Sequence, residues 1–411
     1  AESPRPYSSA VCSWLVVLSS CLRSPLPTHA DRRLPASIGK GFGERSEMRL
    51  RGGSPKAAGA RGGERRRGGS ATVGARRAAA ARAAPTEAAE VQDGPDGVAP
   101  AARGTLEEVA ERAVTRAVMA KRLMLEPDEM TEVVLATGEE DPAKAEAAAL
   151  LALVEPTRTH ARPPVSRFLV GAVALGASGR AYLGVNIEIE GVPLNNSVHA
   201  EQCMLTMAWH WGETRILALA TSAAPCGHCR QAMNEMPRAG RMRCLMPGVP
   251  PVLLEELLPH SFGPGDLQPP ESINYFLEPL DNALALRPDA AAQAEAAGLA
   301  DAAAAALDAA NRAYSPYAAC PAGLALVTGS GEVFSGASME SCAYNPTMSP
   351  LQTALCAATA GGADWESIAA VVLAETPRGA VCFEATVRVA LAELAPDATL
   401  LTLALEPRGE E

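Results

Sequence analysis

Leu106, Val109, Ala110, Ala113, Val114, Ala117 and Val118 recur every three to four residues. That spacing predicts an amphipathic helix. Thr105 stands ahead of it as N-cap, with Glu107 and Glu108 in the first turn, where the helix dipole favours negative charge. A second helix is predicted in "DPAKAEAAALLALVEP", with Asp141 as cap and Pro142 at the first position. At Arg167 the period changes. "RFLVGAVAL", "GASGR" and "AYLGVNIEI" read as strand, Gly-containing turn and strand. A helix at "HAEQCMLTMAWHWG", a strand at "RILALATSAA", a helix at "CGHCRQAMNEM" and a strand at "MRCLMP" follow. Hairpin, helix, strand, helix, strand is an α/β domain with helices on a mixed sheet.

The pattern then returns. After the helical stretch "DAAAAALDAANRAY", the segment "YAACPAGLALVTGSGEVFSGASMES" again reads as strand, turn, strand. The helix "LQTALCAAT" and the strand "IAAVVLAE" come next. "GVNIE" (184–188) matches "GASME" (336–340), and "HAEQ" (199–202) matches "SPLQ" (349–352), over a connection two residues shorter. This self-similarity predicts an internal duplication. The expected divisions are a leader over 1–103, a small helical domain over 104–157, a first core over 158–270, a linker over 271–300 and a second core over 301–411.

Composition and charge narrow the function. The net charge of −11 hides an asymmetry: residues 1–86 carry 16 Lys and Arg against 5 Asp and Glu, while the rest carries 20 against 42. So acidic a body repels a phosphate backbone. It argues against a nucleic-acid partner and for a small uncharged substrate. The ten cysteines are scattered through 411 residues. That fits reduced thiols with one metal clip better than a disulfide framework. The first hundred residues, with "RGGERRRGGS" and "GARRAAAARAAP", read as disordered or as an organelle transit peptide. The apolar run "AVCSWLVVLSSCL" is too short to span a bilayer and fits a signal-peptide core. The compartment is cytoplasmic, or a plastid or mitochondrion if the leader is a transit peptide.

The chemistry lies in two short segments. "HAE" places His199 and Glu201 at the start of one helix, and "PCGHC" places Cys226 and Cys229 at the start of the next. The strand between brings both helix N-termini to one edge of the sheet. One imidazole and two thiolates then face one point, a donor set suited to Zn2+ with a fourth position left for water. Helix N-termini lower thiol pKa values. Glu201 sits two residues from a ligand, close enough to serve as the proton carrier. A structural zinc would need a fourth protein ligand, for which His228 and His210 are available. A redox pair would leave "HAE" without a role.

H-x-E followed by P-C-x-x-C is the signature of zinc deaminases. "SVHAEQ" (197–202) and "APCGHCRQAMNEM" (224–236) resemble the cytidine deaminases, in their dimeric form with two core domains, over about residues 104–411. The resemblance implies a three-layer α/β/α fold with a mixed sheet, a duplicated core and a small N-terminal helical domain. It implies one Zn2+ per chain, with His199, Cys226 and Cys229 as ligands and Glu201 as proton shuttle. It implies that Asn186 and Glu188 of "GVNIE" bind the ribose 3′-hydroxyl and that Phe168 packs on the pyrimidine. Phe262, in "FGPGDL", is expected to close the pocket of a second subunit in a homodimer. The implied reaction is hydrolytic deamination of cytidine and 2′-deoxycytidine in pyrimidine salvage. Cytosine in a nucleotide or polynucleotide is the alternative substrate, and no membrane partner is implied. The second copy has Ser349 and Leu351 where the first has His199 and Glu201, and no C-x-x-C follows. It is expected to be non-catalytic.

Overall fold

The structure, a computed structural model, describes residues 104–409. The leader expected over 1–103 lies outside the described residues. Among those described, no helix is long and apolar enough to cross a membrane.

Helix α1 (Leu106–Met119) starts at a capping box: the Thr105 hydroxyl accepts from Glu108 N, and Glu108 accepts from Thr105 N. Strand β1 (Met124–Leu125) and helix α2 (Pro127–Ala136) follow. The hydrophobic pattern did not reveal α2. Helix α3 (Pro142–Arg158) is capped by Asp141, whose side chain accepts from Ala143 N and Lys144 N. Val109 and Ala113 of α1 and Leu150 and Leu153 of α3 share one buried core with the first sheet. The helical segment is a layer of that core.

The first copy continues with β2 (Gly171–Gly176), β3 (Ala181–Val185), α4 (Ala200–His210), β4 (Ile216–Thr221), α5 (Gly227–Met233), β5 (Arg243–Met246) and β6 (Val249–Leu253). The strands order as β1-β3-β2-β4-β5-β6, with β4 and β5 parallel and the other pairs antiparallel. Two short helices, α6 (Leu254–Leu257) and α7 (Pro264–Leu267), lead out of it. Gly171 pairs with Val185, and Ala172 with Gly184. Paired residues share a face and successive residues alternate. A side chain at Gly171 would strike Val154 of α3, whereas one at Gly184 would strike the backbone of α4. The two helices therefore cover opposite faces, which makes the three-layer α/β/α arrangement.

The second copy holds β7 (Leu284–Leu286), α8 (Pro288–Ala296), α9 (Ala300–Asn311), β8 (Gly323–Thr328), β9 (Val333–Ala337), α10 (Pro350–Ala360), β10 (Ile368–Glu375), α11 (Glu384–Leu394) and β11 (Thr399–Pro407). Its sheet runs β7-β11-β10-β8-β9. Strands β9-β8-β10-β11 repeat the order and directions of β3-β2-β4-β5. Leu324 and Leu373 pair as Ala172 and Thr221 do, both shifted by the same number of residues. The stretch 271–300, expected as a linker, is built into this copy. Strand β7 pairs with β11, and Ala290 and Ala294 of α8 lie in its core. Leu324 and Leu326 face one buried cluster with α10 and α11, while Ala325 faces the other with α8 and α9. The second sheet is thus also covered on both sides.

Candidate active site

Close packing of α4 on β3 positions the first ligand. A Cβ at Gly184 would lie 2.2 Å from Ala200 O and 2.4 Å from Met204 N, so only glycine lets the start of α4 lie flat on the strand. His199 is the N-cap of α4 and Cys226 the N-cap of α5, both in extended backbone conformation. Cys229 follows one turn into α5 and is buried. Cys226 Sγ lies 3.5 Å from His199 Nδ1 and 3.6 Å from Cys229 Sγ, and Cys229 Sγ lies 3.3 Å from the same nitrogen. Zinc bonds of about 2.3 Å to sulfur and 2.1 Å to nitrogen give tetrahedral S···S edges of about 3.8 Å and S···N edges of about 3.6 Å. The three atoms already stand at nearly the spacing that zinc imposes.

The Cys226 thiol is pulled down to about 4, first by the hydrogen bond with Cys229, while the Cys229 thiol is pushed up by the same bond and by burial. The pair shares a proton that a bound cation would displace. Among the described residues no fourth side chain joins the cluster. His210 sits at the far end of α4, about 16 Å along the axis from His199 at 1.5 Å per residue, edge-on to Trp211. The His228 ring stacks on His199 at 5.4 Å. His228 Nε2 lies 3.2 Å from Gln202 Nε2.

A cavity of about 470 Å³ opens onto the trio. Glu201, only 5% exposed, is in its wall. Burial raises the pKa of its carboxyl. Asn186, Glu188 and Phe168 line the same cavity. Asn186 is engaged within the chain: Oδ1 accepts from Val170 N at 2.8 Å and Nδ2 donates to Phe168 O at 2.9 Å. Glu188 Oε2 accepts from Val165 N and Ser166 N at 3.0 and 2.8 Å. Both side chains shape the pocket edge before any ligand arrives, and each keeps hydrogen-bonding capacity to spare. Phe168 is 62% exposed at the mouth. Phe262 is 46% exposed and does not line this cavity. Its carbonyl accepts from Gln231 and Asn234, which binds its segment to the region just after the two thiols.

Two residues escaped the sequence reading. Gln202 accepts from His199 N at 3.2 Å through Oε1 and donates from Nε2 to Pro346 O of the second copy at 3.2 Å. It is the one residue shared by "HAEQ" and "SPLQ", a signal that was available. Glu235, buried just past α5, is bound to the second copy through Tyr314, Tyr317 and Cys342. An acid among the apolar residues of "QAMNEM" marked it.

Two family models, each described as "Cytidine and deoxycytidylate deaminase zinc-binding region", match residues 144–246 and 254–388. The first match contains the whole trio, so the family's metal and the spacing of these donors point to the same ion. The second match covers the copy without the ligands. Cytidine deaminase 1 of Arabidopsis thaliana is 40% identical over 263 residues, which are 60% of this chain and 87% of the relative. A cytidine deaminase of Yersinia pestis is 39% identical over 252 residues, 61% of this chain and 80% of the relative. Among solved structures, cytidine deaminase from Mycobacterium tuberculosis is 34% identical, with a TM-score of 0.26, over 28% of this chain and 94% of its own.

Proposed function

This chain belongs to the cytidine deaminase family, and we propose that it hydrolyses cytidine and 2′-deoxycytidine to uridine and 2′-deoxyuridine, releasing ammonia. The observation that carries the reading is Glu201: a buried carboxylate, two residues from a metal-spaced imidazole, in the wall of a nucleoside-sized cavity. His199, Cys226 and Cys229 would hold zinc, which when bound supplies Lewis-acid activation of the attacking water. Glu201 takes a proton from that water and delivers it to N3 of the ring, which makes C4 electrophilic. Once the hydroxyl has added to C4, Glu201 takes its remaining proton and passes it to the amine, so the C4–N bond breaks, ammonia leaves and the C4 carbonyl forms. Burial suits both duties, because a carboxyl with a raised pKa holds a proton long enough to deliver it.

Asn186 and Glu188 would bind the sugar 3′-hydroxyl, and Phe168 would pack on the base. A free nucleoside fits better than a phosphate ester. Among the described residues no Lys or Arg lines the cavity, and Glu188 stands at its edge. A 3′-phosphate would meet a carboxylate there with no cation to balance it. We assign Phe262 to the pocket of a second copy, in a homodimer, since it is exposed and does not line the cavity of its own chain. The reaction would return pyrimidine nucleosides to salvage.

The test is ammonia release by the zinc-loaded full chain with cytidine, deoxycytidine, dCMP and a cytosine-containing oligonucleotide. Turnover of the two nucleosides alone is expected. Glu201→Ala should cut kcat by about 10²–10⁴-fold with zinc retained. Turnover of only the phosphate-bearing substrates would overturn the substrate assignment.

A further inference from the structure

Glu235 is 2% exposed, and none of the ion pairs among the described residues includes it. A buried carboxylate without a cation must be satisfied by neutral donors. Here the second copy supplies them. Tyr317 Oη donates to Oε2 at 2.6 Å, Tyr314 Oη to the same oxygen at 3.1 Å, and Cys342 N to Oε1 at 2.8 Å. Burial, and then the Glu235 charge, hold both phenols far above their usual range, so each remains a donor. Glu235 lies six residues past Cys229, where a seven-residue helix has just ended. So short a helix has little stability of its own and takes its position from what holds its ends.

The same loop of the second copy also reaches the other ligand-bearing helix. Cys342 binds Glu235, and Pro346 O, four residues on, accepts from Gln202 Nε2. Gln202 in turn holds the backbone of His199. Gln231 Nε2 adds a contact to Cys342 Sγ at 3.5 Å.

We propose that Glu235 is a positioning residue: the second copy, stripped of ligands, sets the spacing of the metal donors in the first by gripping the end of α5 through this carboxylate. The proposal rests on the deaminase reading for the identity of the metal, and its readout is metal binding. The zinc dissociation constant of the full chain is measured by competition with a chromophoric chelator, and the thiolate-to-cobalt absorption after Co2+ substitution reports donor geometry. Glu235→Leu keeps the volume and removes every acceptor. It should weaken zinc binding at least tenfold and shift the cobalt bands. Glu235→Gln should restore most of the affinity, because Oε1 can still accept from Cys342 N and a tyrosine hydroxyl can turn to accept from the amide. Zinc affinity and cobalt spectrum unchanged in Glu235→Leu, whatever happens to Tm, would make the contact merely structural and overturn the proposal. If Glu235→Leu does not fold, Tyr317→Phe replaces it, with severalfold weaker zinc expected and unchanged affinity overturning the idea. A wild-type chain inactive on cytidine, in which Glu235→Leu still loses zinc, would sink the deaminase reading and leave this one standing.

Discussion

The two copies share a backbone and differ in chemistry at a few helix starts. Gly184 and Gly336 each let a helix lie against the same strand of the sheet. Glu188 and Glu340 occupy the same corner. Each accepts from two successive backbone N–H groups, of Val165 and Ser166 in one copy and of Tyr317 and Ala318 in the other. What the fold requires has been kept twice. Where the first copy buries the carboxylate of Glu201, the second buries Leu351, which has no charge to desolvate. In the register of β4 and β10, Cys226 falls opposite Arg378, whose left-handed backbone (φ 59°) starts no helix, and α11 begins only at Glu384. The second copy shows what this architecture adopts without these side chains at the helix starts. The fold stands with the metal donors and Glu201 in one copy and without them in the other.

The sharpest way to break this comparison uses the thiols. Cys229→Ala removes a donor from the trio and should abolish both stoichiometric zinc and activity. Cys382→Ala, which alters the exposed cysteine of the second copy, should change neither. Metal analysis by mass spectrometry beside a deamination assay decides it. Zinc lost equally from both variants would mean that the second copy takes part in ligation, against the geometry described here.

A smaller effect separates the paired glutamates. Glu188→Gln should lower kcat/KM for cytidine by about 10–100-fold, the loss expected for a hydrogen bond to a charged acceptor. Most of the loss should lie in KM. Glu340→Gln, with the same backbone contacts but outside the cavity that Glu201 lines, should leave kcat/KM within about twofold of wild type. Equal losses would mean that Glu188 acts only by holding its loop, as Glu340 does. Steady-state kinetics on the two variants distinguishes these outcomes.

The contrast between the copies also explains how much could be read in the sequence. The repeat was legible because β2 and β3 recur as β8 and β9 with the same alternation and the same glycines. The trio was legible because His199 and Cys226 cap helices and Cys229 follows Cys226 at a short, fixed spacing. By contrast β11, the parallel neighbour of β10, was missed: "TLLTLALE" takes its role from pairing with a strand elsewhere in the chain. The stretch 271–300 read as a linker because its short strand and alanine-rich helix acquire meaning only against a sheet completed more than a hundred residues later. Glu235 and Gln202 carried local marks, but their role was not legible for the same reason, since their partners in the second copy lie 79 to 144 positions away. Local signals disclosed the donors, and the supports that hold them are non-local.

The smallest expected effect is a pH dependence centred on Glu340 of the second copy. Burial, and to a smaller extent the charge of Glu235 in the first copy, raises the pKa of Glu340, although its two backbone donors oppose the shift. The folded state then binds the proton more tightly than the unfolded one. Stability falls as pH rises from the unfolded pKa through the folded one, because the unfolded chain gives up its proton first. Below that window both states are protonated and the burden is absent. Glu340→Gln stays neutral throughout and retains an oxygen for Tyr317 N and Ala318 N. Its Tm relative to wild type should therefore improve steadily from pH 4 to pH 8, as measured by thermal melts of the zinc-loaded chain. A constant difference would show that Glu340 is ionised in the native state at no cost to folding. Its two backbone N–H donors would then fully offset its burial.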